Sequence, residues 1–174
     1  MSSSHNFETA SLTTAAGVKI GYRKNGSGPA LILLHGGLQS SASFTGLAAA
    51  LSGDFTVYVP DRRGRGLSAP YQEKDGLEAE AADLLALIRH VHADRIFALS
   101  SGAIITLQAA LKEPALAKVA LYEPPLDGNV FGKLGRDYGR VMSKGNLGRA
   151  FITILKTIDD TTFSLFRTLP AFIT

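Results

Sequence analysis

The sequence predicts an α/β fold built on a mostly parallel sheet. Short apolar or alternating segments take turns with longer ones whose apolar residues recur at helical spacing. Ala30-Leu31-Ile32-Leu33-Leu34 is a continuous apolar run, the pattern of a strand covered on both faces. A second apolar strand, Arg95 to Leu99, passes through a tight turn straight into an apolar helix. In chain order, Phe7 to Leu12 and Val18 to Tyr22 flank Ala15-Ala16-Gly17 and read as an antiparallel hairpin. Asn25-Gly26-Ser27-Gly28-Pro29 is a turn cluster before the Ala30–Leu34 strand. A helix fits Ser43 to Leu51, a strand Phe55 to Val59, and a Gly-rich loop Asp61 to Pro70. From Leu77 the apolar positions Ala81, Leu84, Leu85, Ile88 and Val91 mark a helix. Arg95 to Leu99 is a strand, Gly102 to Leu111 a helix, and Lys118 to Tyr122 the sixth strand.

After Glu123-Pro124-Pro125 the character changes. Five glycines fall between 127 and 146, and then two amphipathic helices are expected. Leu147, Phe151, Ile154, Leu155 and Ile158 carry the first, Phe163, Phe166 and Leu169 the second, with Asp160 and Thr161 as caps between them. The expected division is therefore 1–126 and 127–174.

The chain has 174 residues, 45% of them apolar and 19% charged, enough to bury a core and too apolar for a disordered chain. It contains no cysteine, which excludes a disulfide framework, a thiolate metal site and a thiol nucleophile. No apolar run reaches the roughly 20 residues of a membrane span, and Met-Ser-Ser-Ser-His-Asn lacks the features of a secretory signal. A cytoplasmic protein with no membrane partner is the expectation. The net charge is +3, and the dense basic cluster is Arg62-Arg63-Gly64-Arg65. It has no aromatic platform around it, so no nucleic-acid partner is expected.

Ile96-Phe97-Ala98-Leu99-Ser100-Ser101-Gly102-Ala103 is the segment with the most chemistry. Ser100 stands at the strand-to-helix turn, with small residues two before it (Ala98) and two after it (Gly102). A nucleophile elbow needs that pattern, because larger flanks collide with neighbouring backbone. Ser101 is a second candidate, but its flanks are Leu99 and Ala103. The turn also sets the Ser101 N–H at a helix N-terminus, where developing negative charge is favoured. The alternative is a plain serine N-cap. Leu34-His35-Gly36-Gly37 follows the apolar strand, and its backbone N–H groups suit the other half of an oxyanion hole. Gly37 is the preferred donor, Leu38 the neighbour that could replace it. His35 reads as a structural ring holding the loop rather than as a base. Asp61-Arg62-Arg63-Gly64-Arg65-Gly66-Leu67-Ser68 contains a G-x-G but is followed by Ala69-Pro70, not a helix. A hydrogen-bonded structural loop is therefore expected instead of a dinucleotide fingerprint.

His35-Gly36-Gly37, Asp61-x-Arg63-Gly64-x-Gly66-x-Ser68 and the elbow at Ser100, in that order and spacing, resemble the α/β-hydrolase superfamily. The likeness is to its esterase, haloperoxidase-like and C–C hydrolase branch, which Leu121-Tyr122-Glu123-Pro124-Pro125 also resembles. It covers residues 7–126 and runs into what resembles the start of a helical cap. The resemblance implies a sheet of the α/β-hydrolase type with six of its eight strands. It also implies a small ester- or lactone-like substrate attacked by Ser100, with an oxyanion hole from the N–H groups of Gly37 and Ser101. It implies no metal and no organic cofactor.

The family's order of catalytic groups is Ser, then Asp or Glu, then His. The four histidines here are His5, His35, His90 and His92, and all precede Ser100. Glu123 occupies the place of the acid in some dehalogenase-like relatives, and a structural glutamate hydrogen-bonded to its loop is the alternative. Asp127, Asp159 and Asp160 read as turn and cap residues. The expectation is an N-terminal part of a longer hydrolase, with low or no activity by itself. The alternative is a non-catalytic product that binds ligand or self-associates through the open edge of the Lys118–Tyr122 strand.

Overall fold

A computed structural model describes residues 7–126; the cap helices expected in 127–174 lie outside them. Six strands form one mixed sheet: β1 (Glu8–Thr13), β2 (Lys19–Asn25), β3 (Ala30–Leu34), β4 (Thr56–Pro60), β5 (Arg95–Leu99) and β6 (Lys118–Tyr122). Their spatial order is β1-β2-β4-β3-β5-β6. β1 and β2 pair antiparallel as the expected hairpin, and β2 meets β4 antiparallel. The pairs β3–β4, β3–β5 and β5–β6 are parallel. These six strands, counted among the described residues, are the six the sequence predicts.

Three helices cover it: α1 (Thr45–Leu51), α2 (Leu77–Val91) and α3 (Ser101–Ala110). The helix expected from Ser43 starts earlier, as a 3-10 turn over Ser41–Phe44 that leads into α1. Ser41 is buried and bonded to Asp61, so a contact across 20 residues, not local periodicity, sets that start.

The central strand explains the apolar run. Ile32 and Leu34 join Leu84, Leu87 and Ile88 of α2 and Ala103 and Ile105 of α3 in one core cluster. Leu31 and Leu33 point the other way, to Phe44, Ala48, Val57 and Val59. Successive side chains of a strand face opposite layers, so a strand with helices on both sides has no polar face to show. At the other margin β6 is largely exposed, with Val119 and Tyr122 open to solvent.

The described parts of residues 1–70 and 77–125 belong to one compact unit. Tyr71–Gly76 lies outside it. It turns on itself, Tyr71 Oη donating to Asp75 O at 2.7 Å and the Gln72 N–H to Asp75 Oδ2 at 2.8 Å. Among the described residues no helix is long and apolar enough to cross a membrane.

Candidate active site

Because β3, β4, β5 and β6 run parallel, the segments leaving them all emerge at one end of the sheet. Those segments are His35–Leu38, the Asp61–Pro70 loop, Ser100 and Glu123. The carboxyl ends of parallel strands are where α/β folds place ligands.

Ser100 has φ 52° and ψ −123° and stands at the N-cap of α3, yet its side chain makes no capping hydrogen bond. A capping serine is therefore not its role. A non-glycine residue held there costs about 1–3 kcal/mol and persists only where its surroundings enforce it. Here the Ser100 N–H extends the β5–β6 ladder to Tyr122 O at 2.9 Å, and the Ala103 N–H returns to Ser100 O at 2.8 Å. A Cβ on Gly102 would stand 2.5 Å from His35 O and 2.9 Å from Leu34 O, both backbone atoms. The small residue two beyond Ser100 is thus a steric requirement of β3 beside the turn. Among the described residues no hydrogen-bond partner meets Ser100 Oγ.

Gly102→Ala is accordingly expected to destabilise the chain by about 1–3 kcal/mol, the range for forced overpacking. Gly46→Ala, on exposed α1 with nothing within 4 Å of its added Cβ, should be neutral or stabilising by about 0.5–1 kcal/mol. Urea denaturation of the two variants side by side checks the contrast.

Across from the elbow, Gly36 faces Ser100: a Cβ on it would meet Ser100 Cβ at 3.4 Å. The Gly36 N–H donates to Gln39 Oε1 at 3.0 Å, so it is already engaged. Gly37 is half-buried and Leu38 exposed. Arg65 Nη2 donates to Gly37 O at 2.5 Å, which fixes the Gly37–Leu38 peptide plane.

His35 is fully buried. Its Nδ1 donates to Gly36 O at 2.8 Å and its Nε2 accepts the Arg62 N–H at 3.2 Å. These bonds assign the neutral Nδ1–H tautomer. Burial, with the Arg62 guanidinium next, lowers its pKa from 6.5 to about 4. Both nitrogens are occupied by backbone, so this ring holds the loop. His90 and His92, at the far end of α2, are exposed, and His90 Nε2 lies 3.4 Å from Tyr22 Oη.

The Asp61–Pro70 loop is densely bonded. The buried Asp61 carboxylate accepts the Ser41 N–H (2.6 Å), Ser41 Oγ–H (2.9 Å) and the Leu67 N–H (2.9 Å). Gly66, at φ +39°, passes so close that a Cβ would stand 2.3 Å from Asp61 Oδ2. Ser68 Oγ donates to Asp61 O and accepts the Gly21 N–H, tying the loop to β2. The basic cluster is turned inward. Arg62 grips Glu80 through two N–H groups (2.5 and 2.9 Å) and reaches Ser101 Oγ at 2.8 Å. Arg63 grips Asp83 (2.7 and 2.8 Å), and Arg65 holds Gly37. The cluster is visible in the sequence but its partners, which lie 18 to 39 residues away, are not.

Glu123 follows β6 next to the elbow, with φ 49°. The side chain is exposed and meets no partner among the described residues. Ser100 and Glu123 thus both hold strained backbone at the ends of adjacent strands. Among the described residues no group of His, Asp and Glu is arranged to hold a metal ion.

The sheet, the elbow and the two loops are those of a hydrolase of the α/β type. The chain belongs to the alpha/beta hydrolase family, whose model matches residues 31–172. It is 34% identical over 115 residues to the uncharacterized hydrolase YraK of Bacillus subtilis (strain 168), covering 63% of this chain and 42% of that one. It is 36% identical over 120 residues to the N-formylmaleamate deformylase of Pseudomonas putida (strain KT2440), covering 66% and 45%. An alpha/beta hydrolase from Sphaerobacter thermophilus DSM 20745 superposes with a TM-score of 0.72 at 26% identity, over 92% of this chain and 66% of that one. The matched part thus spans less than half the length of these two curated relatives.

Proposed function

We propose that these residues carry the nucleophile and oxyanion-hole half of a serine hydrolase site, acting on a small ester- or lactone-like carbonyl. The observation that carries the reading is Ser100 at φ 52° on an elbow that offers its side chain no cap bond, facing a glycine-lined strand end. In the reaction Ser100 Oγ bonds the carbonyl carbon and gives its proton to a base. The carbonyl oxygen takes the electron pair and is held by the N–H groups of Gly37 and Ser101. Collapse expels the alcohol, which takes the proton back, and water then releases the acyl group by the same route. Glu123 is the proposed acid orienting the base. The base is not assigned among the described histidines: His35 is occupied on both nitrogens, and His90 and His92 stand at the far end of α2. No step calls on a metal or organic cofactor. The relatives named as a hydrolase and a deformylase support this class of reaction.

The second reading is a non-catalytic chain that binds ligand or self-associates through β6. It is favoured by the missing histidine and the exposed β6 edge. A fluorophosphonate probe with peptide mass spectrometry decides between them. A slow adduct on the Ser100 peptide, limited by the lack of a base and absent in Ser100→Ala, is the expected outcome. A folded wild-type chain that takes no label gives the second reading its place. Turnover of p-nitrophenyl acetate is expected to be low, because a hydroxyl without a base is a poor nucleophile.

A further inference from the structure

We infer that Arg62 is a positioning residue for the elbow: gripped by Glu80, it holds Ser101 Oγ and so fixes the turn that presents Ser100. This inference rests on Ser100 being the nucleophile. The guanidinium is planar and carries its N–H groups in a fixed fork. Nε and Nη2 are both on the Glu80 carboxylate, and the two side chains are only 10% and 11% exposed. With those bonds made, the position of Nη1 is set. It donates to Ser101 Oγ at 2.8 Å, with His35 O a longer contact at 3.5 Å. The backbone N–H of the same residue donates to His35 Nε2. Arg62 therefore joins the end of β3 to the first residue of α3, the two segments between which an oxyanion would sit.

Ser101 needs such a tie. It immediately follows the strained Ser100, and its own N–H is the proposed oxyanion donor at the start of α3. Other restraints on the turn are made by backbone: Ser100 N–H to Tyr122 O, Ala103 N–H to Ser100 O, and Gly102 packed on β3. Arg62 Nη1 adds a side-chain tie, and it is charge-assisted, hence short and directional. Glu80 offsets the charge of Arg62, so the contribution is orientation of the N–H rather than added positive field. Arg63, next in sequence, faces Asp83 instead.

The test compares the rate of fluorophosphonate labelling at Ser100 in the full chain. The variants are Arg62→Met, Ser101→Ala and the double variant, each with a thermal melt. Each single change is expected to lower the rate about 10- to 100-fold, as loss of one charge-assisted hydrogen bond allows. The double variant should fall no further, because both changes remove the same bond. Ser101→Ala keeps the Arg62–Glu80 pair and is a small-for-small change, so it decides the matter even if Arg62→Met fails to fold. A purely structural ion pair would lower the melting temperature of Arg62→Met and leave Ser101→Ala labelling at the wild-type rate. That result, or losses that add in the double variant, overturns the inference while the serine reading stands. A folded wild-type chain that takes no label removes both.

Discussion

Arg63→Met is expected to cost about 3–5 kcal/mol of folding free energy, the usual penalty for stranding one partner of a buried ion pair. Arg63 donates from Nε and Nη2 to the two oxygens of Asp83, and the side chains are 7% and 10% exposed. The pair ties the Asp61–Pro70 loop to α2, and Arg63 Nη2 also reaches Ala79 O at 3.4 Å. Removing the guanidinium leaves a carboxylate on the core face of α2, beside the buried Leu84 and Leu87. A domain of this size has only about 5–15 kcal/mol in hand, so the loss should be plain in urea denaturation. Arg63→Met/Asp83→Leu should recover most of it, since an apolar pair of similar volume carries no desolvation penalty. A single variant that loses less than about 1 kcal/mol, below the range for a stranded buried charge, would show that water reaches Asp83.

The contrast between Arg63 and the rest of its cluster shows what could be read from sequence. β3, β5 and β6 have the bounds the sequence predicts, because apolar runs flanked by turn residues leave little choice of register or length. The elbow was legible for a steric reason. Gly102 sits against β3 carbonyls, so the small residue two beyond Ser100 is written into the sequence wherever this turn is made. Three arginines within four positions, by contrast, read as one basic patch. Their separation into three inward contacts depends on Glu80, Asp83 and the Gly37 carbonyl, which only the tertiary fold brings near. Glu123 shows the converse: the strand-end pattern leaves its role open between an acid and a loop partner, and the fold leaves it exposed with strained backbone.

His35 should make the chain acid-labile between pH 6.5 and about 4, and the sign follows from its two bonds. The neutral ring donates at Nδ1 to Gly36 O and accepts at Nε2 from the Arg62 N–H. Protonation puts a second N–H where that donor already points, and adds positive charge near the Arg62 and Arg65 guanidiniums. The folded pKa is therefore depressed from 6.5 to about 4. Above pH 6.5 both folded and unfolded states carry the neutral ring, and the contribution of His35 to stability is fully present. Below 6.5 the unfolded chain takes up a proton that the folded chain refuses, so stability falls by about 1.4 kcal/mol per pH unit. Near pH 4 the folded ring titrates as well, and the total loss is about 3 kcal/mol. Carboxylates titrate in the same window, so the measurement is a difference. The stability gap between wild type and His35→Asn, in which the amide nitrogen can take over the Nδ1 role, should narrow by about 3 kcal/mol from pH 7 to pH 4. An NMR titration of the ring nitrogens should show His35 still neutral at pH 5. A His35 titrating near 6.5 would mean that the strand end opens on protonation. The same proton would then loosen Arg62, and with it the Ser101 hydroxyl and the turn that presents Ser100.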